Sequence, residues 1–381
     1  DPLGTTRTFN YTLNLGKLAV TGADKPDGLG QPDAASRVQN PLGMITAETD
    51  FLGTTTSYAW NTDRRLPTAI TQAAGKPEER TTTTEWHAQW RLPVTVTEPG
   101  RTTSYTYDSV GNRLTQTITD TTTGIARTTT WTYHPSGLVA TEKAPNGAIT
   151  SYQYDSAGNL TSSTNALGHV DTYTHDAAGR ILTHTAPTGL VSSYTYDPRG
   201  RMLTANRGGQ LTTLTYRPSG QVATANMPYG HVITYTYDTA QRLTGWSDNR
   251  GHSGSYTLDA MGNRTREEVR NAQGQLAWLL VRNINSLNRV QSTTVGGQQT
   301  TSYGFDANGE TVSSTNGANE STQLGLDSLR RVKTITNAAN ATASLSYNAL
   351  DAVTQASDFK GVGTTYARDA LGNATSESSP R

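Results

Sequence analysis

Aromatic and small polar residues alternate along this chain in short, recurring blocks. Tyr105-Thr-Tyr107, Tyr152-Gln-Tyr154 and Tyr194-Thr-Tyr196 are three of them. A two-residue period predicts a strand with one sheltered face and one open face. Each block runs into Asp-x-x-Gly, at Asp108 to Gly111, Asp155 to Gly158 and Asp197 to Gly200. Asp accepts backbone N–H bonds and Gly supplies a positive φ, so the four residues predict a tight turn. The next residues, Asn or Arg and then an aliphatic, start a return strand. A second turn follows about ten residues later, as in Ala144-Pro-Asn-Gly147, Asn165-Ala-Leu-Gly168 and Ala186-Pro-Thr-Gly189. Each unit is therefore expected to be a β-hairpin, and no segment has a convincing helical period.

The pattern repeats along the chain. With the Asp position as anchor, it recurs at Asn40, Asn61, His87, Asp108, His134, Asp155, Asp176, Asp197, Arg217, Asp238, Asp259, Asn285, Asp306, Asp327, Asn348 and Asp369. Eleven of the intervals are 21 residues, three are 26 and one is 20. The longer intervals hold Lys76 to Arg80, Asp120 to Gly124 and Asn271 to Gly274, and predict longer arms or looped tips. The signature falls on Tyr107, Asp108 and Gly111; Tyr154, Asp155 and Gly158; Asp176 and Gly179; Tyr196, Asp197 and Gly200; and Tyr237 and Asp238. It continues at Asp259 and Gly262, Asp306 and Gly309, and Asp369 and Gly372. Residues 1–39 read as degenerate repeat with an insertion around Lys25 to Pro32. Residues 40–381 read as one continuous array of about 16 hairpins.

Sixteen hairpins give about 32 strands, a sheet roughly 150 Å wide at the usual strand spacing. Twisted sheets rarely pass about ten strands without curling or splitting. No other segment could form a covering layer. The expected fold is therefore all-β, a long sheet of tandem hairpins that coils on itself into a curved wall or barrel-like shell. Only 33% of the residues are hydrophobic, which agrees with a wall and not with a packed ball. The longest apolar run, Leu276 to Val281, suits one buried strand and is far short of a membrane span.

Lys plus Arg and Asp plus Glu both number 31, so the formal net charge is zero. No field gathers nucleic acid, and neither nucleic acid nor a membrane span is expected. Cysteine is absent, which excludes disulfides, thiolate metal sites and thiol nucleophiles.

The Tyr-Asp-x-x-Gly-(Asn/Arg)-Leu units, near 21 residues apart, resemble the YD repeats of Rhs proteins, toxin-complex shell components, wall-associated bacterial toxins and teneurins. The resemblance runs from about Gly4 to Asn373. It implies a spiralling β-shell that encloses or presents a toxin domain or other cargo, as part of a larger bacterial protein, secreted or at the cell surface. The implied partners are that cargo and neighbouring repeat segments. The Pro- and Asp-Pro-x-Gly-Leu-based core motif of self-cleaving relatives is absent, so no catalytic carboxylate carries over. The alternative is an extracellular adhesin or filament that assembles through open strand edges and binds glycans.

No catalytic, metal or cofactor site is expected. The anchor Asp residues read as turn caps, because Arg217 stands at one of them. Glu267 and Glu268 adjoin, but neighbours on a strand face opposite ways, so they make a poor acid/base couple. The Tyr stripes read as packing between units. Candidate glycan or cargo contacts are the indoles that depart from the stripes: Trp86, Trp90, Trp131, Trp246 and Trp278.

Overall fold

The computed structural model describes residues 8–24 and 35–380. The insertion expected around Lys25 to Pro32 lies outside them. The described chain is all-β, with 34 strands from Phe9–Asn14 to Ala374–Ser378 in one open sheet and a single 3-10 turn at Pro228–Gly230. Every strand pairs antiparallel with its neighbours in the chain.

Two sets of turns alternate, one along each edge of the sheet. The anchor turns follow the Tyr-Asp blocks. At one of them, Asp155 N–H donates to the Asn159 carbonyl at 2.9 Å and Gly158 N–H to the Asp155 carbonyl at 3.1 Å. Gly158 has φ +88°, a region costly for any residue with a Cβ. The linking turns join one hairpin to the next and use the same bonds, as between Asn165 and His169 at 3.0 Å. The edges differ in one respect. Every hairpin with an anchor turn carries a register shift beside that turn. From the Asp50 turn onward, linking hairpins keep continuous register except at Val269/Arg270. A bulge bends its strand and raises local twist. Bulges along one edge only make the bend add up in one direction.

The accumulated bend brings distant turns together. The linking turn at Asp50 meets the anchor turn at Asp306: Asn308 Nδ2 donates to Asp50 Oδ2 at 2.9 Å, and Phe51 N–H donates to Asn308 Oδ1 at 3.0 Å. Farther on, Ser328 Oγ donates to Glu78, and Arg80 Nη1 reaches the Ala349 carbonyl at 3.1 Å and Asp351 Oδ2 at 2.7 Å. Then Ala370 N–H donates to Asp120 Oδ2 at 2.8 Å, and Arg127 Nη2 to Asn373 Oδ1 at 2.8 Å. Linking turns of the first coil thus rest on anchor turns of the next, so the sheet is a spiral with a seam. It returns on itself after about 23 strand steps, roughly 110 Å of ladder and about 35 Å across.

Facing sheets pack about 10 Å apart, so opposite walls of this coil cannot touch. Among the described residues only Met44, Leu66, Ala73 and Ala225 are buried hydrophobics, and no large side chain is fully buried. The accessible surface is 22108 Å², against about 15,000 Å² for a compact chain of this mass. The Leu276 to Val281 run, expected to be buried, lies in the strand Leu276–Ile284 with its first three residues exposed. No second layer exists to cover it.

Two seam residues break the turn rule. Arg330 and Asp351 stand where most anchor turns have Gly, and both hold φ +63°. Arg330 pairs with Asp50 at 3.4 Å and with Glu310 at 3.5 Å. Asp351 binds Arg80 across the seam and Arg331 beside it at 2.9 Å. The seam therefore holds charged side chains on strained backbone. Replacing both residues with Gly is expected to relax the turns and open the seam. Small-angle scattering should show a larger radius of gyration while circular dichroism keeps its β signal.

Acid should act on the same contacts. The Asp120 carboxyl is held below its ordinary value of 3.8, chiefly by the Ala370 N–H and then by Thr123. Burial pushes Asp351 up, but the hydrogen bond and charge of Arg80, and then of Arg331, bring it below 3.8. A depressed folded-state pKa contributes stability that is full above the ordinary value and lost as pH falls through the folded value. Scattering curves should be constant from pH 7 to about 5 and expand below about 4, at a higher pH in high salt, which screens the ion pairs.

Candidate functional site

Every anchor Asp except Asp306, which is followed by Glu310, engages both carboxylate oxygens within its own turn. Asp197 Oδ1 accepts from Arg199 N–H and Arg201 N–H, each at 2.9 Å, and Oδ2 accepts from Arg201 Nε at 2.6 Å. Asp155 does the same with Ala157, Asn159 N–H and Asn159 Nδ2, all at 2.9 Å. This is why Asn or Arg follows the turn Gly. The bonds hold the Asp197 carboxyl below its ordinary value, led by Arg201 N–H, against burial, with the guanidinium adding to it.

The Arg then links its unit to the next. Arg180 reaches the Asp197 carbonyl at 3.3 Å and lies 4.9 Å from the Tyr196 ring. Arg201 lies 4.5 Å from Tyr216, and Arg331 lies 4.6 Å from Tyr347. These are cation–π distances. The Tyr completes the link, donating its hydroxyl to a carbonyl of the preceding unit: Tyr196 to Ile181 at 2.9 Å, Tyr216 to Met202 at 2.6 Å, and Tyr237 to Val222 at 2.8 Å. Where other residues hold the Tyr position, the bond can survive. Trp60 Nε1 donates to Ile45, Trp86 Nε1 to Pro67 and Arg368 Nε to Val353, at 2.6, 2.7 and 2.8 Å. His175 takes a Tyr position without this bond, and its Nδ1 is buried unpartnered. Arg217 keeps its turn through backbone bonds alone and lies 5.0 Å from Tyr237.

The Tyr residues share one half-buried face of the sheet. The opposite face is exposed and carries Thr pairs, such as Thr174 with Thr183 at 2.6 Å and Thr195 with Thr204 at 2.7 Å. Glu267 and Glu268 face opposite ways. Glu267 pairs with Arg282, and Glu268 with Arg266 and Arg270 at 2.6 and 2.8 Å.

The candidate indoles are placed differently from one another. Trp86 does the work of a Tyr. Trp90 stacks on His87 at 4.3 Å, and Trp131 donates to Glu142 Oε2 at 3.1 Å beneath Arg113. Only Trp246 and Trp278 come together. Register places Tyr235, Trp246, Gly254, Val269 and Trp278 opposite one another on five adjacent strands, hence on one face. Sequence reasoning treated the two indoles separately, because the row depends on the register of the longer hairpin around Asn271.

The inter-unit links should be local in effect. Tyr216→Phe leaves the Met202 carbonyl without its donor and is expected to cost about 1 kcal/mol. Hydrogen exchange should rise in the hairpins of Asp197 and Arg217 and stay unchanged two or more units away, because repeats contact mainly their neighbours.

Solved structures resemble this coil. It superposes on TcdB2-TccC3 with a TM-score of 0.54 at 13% identity, covering 98% of this chain and 27% of that one. Against TcdB2-TccC3-Cdc42 the values are 0.53, 14%, 94% and 24%. Against the Photorhabdus luminescens Tc holotoxin pore they are 0.54, 14%, 98% and 26%. At such identities the likeness is one of fold, and the chain spans about a quarter of the length of those structures. No curated protein matches in sequence. Residues 101–283 match the teneurin YD-shell family. The turns and links of that segment continue on both sides of it through the described residues.

Proposed function

We propose that this shell segment encloses or presents a toxin or other cargo as part of a larger bacterial Rhs-like protein, secreted or at the cell surface, without catalysis of its own. The observation that carries this reading is the seam. A sheet whose Asp50, Arg80 and Asp120 regions bind residues 308, 351 and 370 encircles a space that the side chains of the described residues do not fill. The mechanism is exclusion: a protease cannot pass through a wall of continuously paired strands. Both faces of the wall are rich in hydroxyl and amide groups, so a cargo would touch it without being trapped by apolar burial. The likeness to TcdB2-TccC3 supports the same reading through the fold.

Negative-stain electron microscopy of the purified chain tests it. Hollow arcs or short rings are expected, with an open centre. Long uniform fibres would overturn enclosure in favour of a filament, grown by pairing at the ladder of the last strand, Ala374–Ser378.

A further inference from the structure

The row from Tyr235 to Trp278 is unlike any other on the aromatic face. Trp246 and Trp278 stand three strands apart, roughly 14 Å at the usual spacing. Between them lie Gly254 and Val269, so the floor is low. Gly254 makes room for the Trp246 indole, which lies across it, because a Cβ at residue 254 would clash with Nε1. Trp278 is 40% exposed. Trp60, Trp86 and Trp131 give their indole N–H to protein oxygens, whereas those of Trp246 and Trp278 have no acceptor among the described residues.

Polar groups stand along both long sides of this trough, beside Ile233 on one and Leu280 on the other. On one side Asp248 Oδ2 accepts from His231 Nε2 and His252 Nδ1, both at 3.1 Å, while Oδ1 accepts from Arg250 and His252 N–H at 2.9 and 2.7 Å. Burial raises the Asp248 carboxyl, but these four donors, led by the His252 N–H, bring it down to about 2. The ionised carboxylate only accepts, so it fixes which nitrogen of each imidazole carries the proton. In the neutral ring the other nitrogen is an acceptor. Both imidazoles and Trp246 line one open pocket with Ile233 and Val269. On the other side Glu267, paired with Arg282, follows Tyr256 across the register.

We propose that this trough binds a neutral oligosaccharide. The C–H faces of its sugar rings would lie on Trp246 and Trp278, and its hydroxyls would meet the indole N–H groups and the pinned imidazoles. Apolar platforms with a few fixed polar groups are the usual make-up of a small-molecule site. The span of the trough fits several sugar rings better than one. An apolar peptide would find the same platforms, but it would leave the second nitrogen of each imidazole and both indole N–H groups without partners, at a cost in affinity.

Saturation-transfer NMR with maltotriose, cellotriose and chitotriose tests this on the intact chain. At least one trisaccharide should receive saturation at its ring C–H protons. Trp246→Ala and Trp278→Ala should each weaken binding about tenfold or more, the loss of roughly one stacked ring, equal to 1.4 kcal/mol. Trp131→Ala, on the same face but outside the row, should leave it unchanged, and circular dichroism should show all three variants folded. The proposal is overturned if no trisaccharide receives saturation. It is also overturned if Trp131→Ala weakens binding as much as the other two, or if a Leu-rich peptide binds the trough more tightly than any of the sugars.

Discussion

The anchor carboxylate couples the inside of each turn to the next unit. Asp197 holds the Arg201 side chain by the same oxygen set that caps its turn, and so aims the guanidinium at the following Tyr. That Tyr reaches back to the carbonyl of Met202, the residue after Arg201. A sheet with almost no buried apolar side chains has little else to set its geometry. Backbone ladders hold strands side by side, but they do not fix how much each pair rotates on the last. The anchor turn, its bulge and the ring that reaches back to the preceding unit, repeated along one edge, fix that rotation, with a guanidinium joining at Asp176, Asp197, Asp238 and Asp327. The curvature of the wall is thus a sum of many small terms of one sign.

This explains what was legible in the sequence and what was not. Turns, strands and period depend on residues no more than four or five apart, so Asp155-Ser-Ala-Gly158 declares its own structure. The seam depends on the total rotation over about 23 strands, and no local pattern encodes that sum. Traces of it were visible without their meaning. The 26-residue intervals at Lys76 to Arg80 and at Asp120 to Gly124 read only as long tips, yet they supply Glu78, Arg80 and Asp120 to the seam. Arg330 and Asp351, which take the Gly position of their turns, also reach across to the first coil. The expected burial of Leu276 to Val281 assumed that a hydrophobic run implies a covering layer. In a single-layered wall that assumption fails.

The seam and the ladder differ in chemistry, and the difference matters for strength. Ladder bonds are backbone bonds repeated strand after strand, and none depends on a protonation state. Cross-seam bonds come from side chains, several of them charged, many partly open to water. Such pairs contribute little individually and respond to salt and acid. The spiral can therefore loosen between coils while each coil keeps its sheet.

Pairing each strand only with its chain neighbours also sets the order of assembly. Contacts that are near in sequence form early, and long-range ones wait for the chain between them. Each hairpin here can add to the last as it leaves the ribosome, with no wait for a distant partner. The seam alone joins residues 244 to 280 positions apart. The wall is thus laid down in order from one end, and the coil meets itself only after most of its circumference exists. Whatever occupies its axis must already be there, or must enter along the axis.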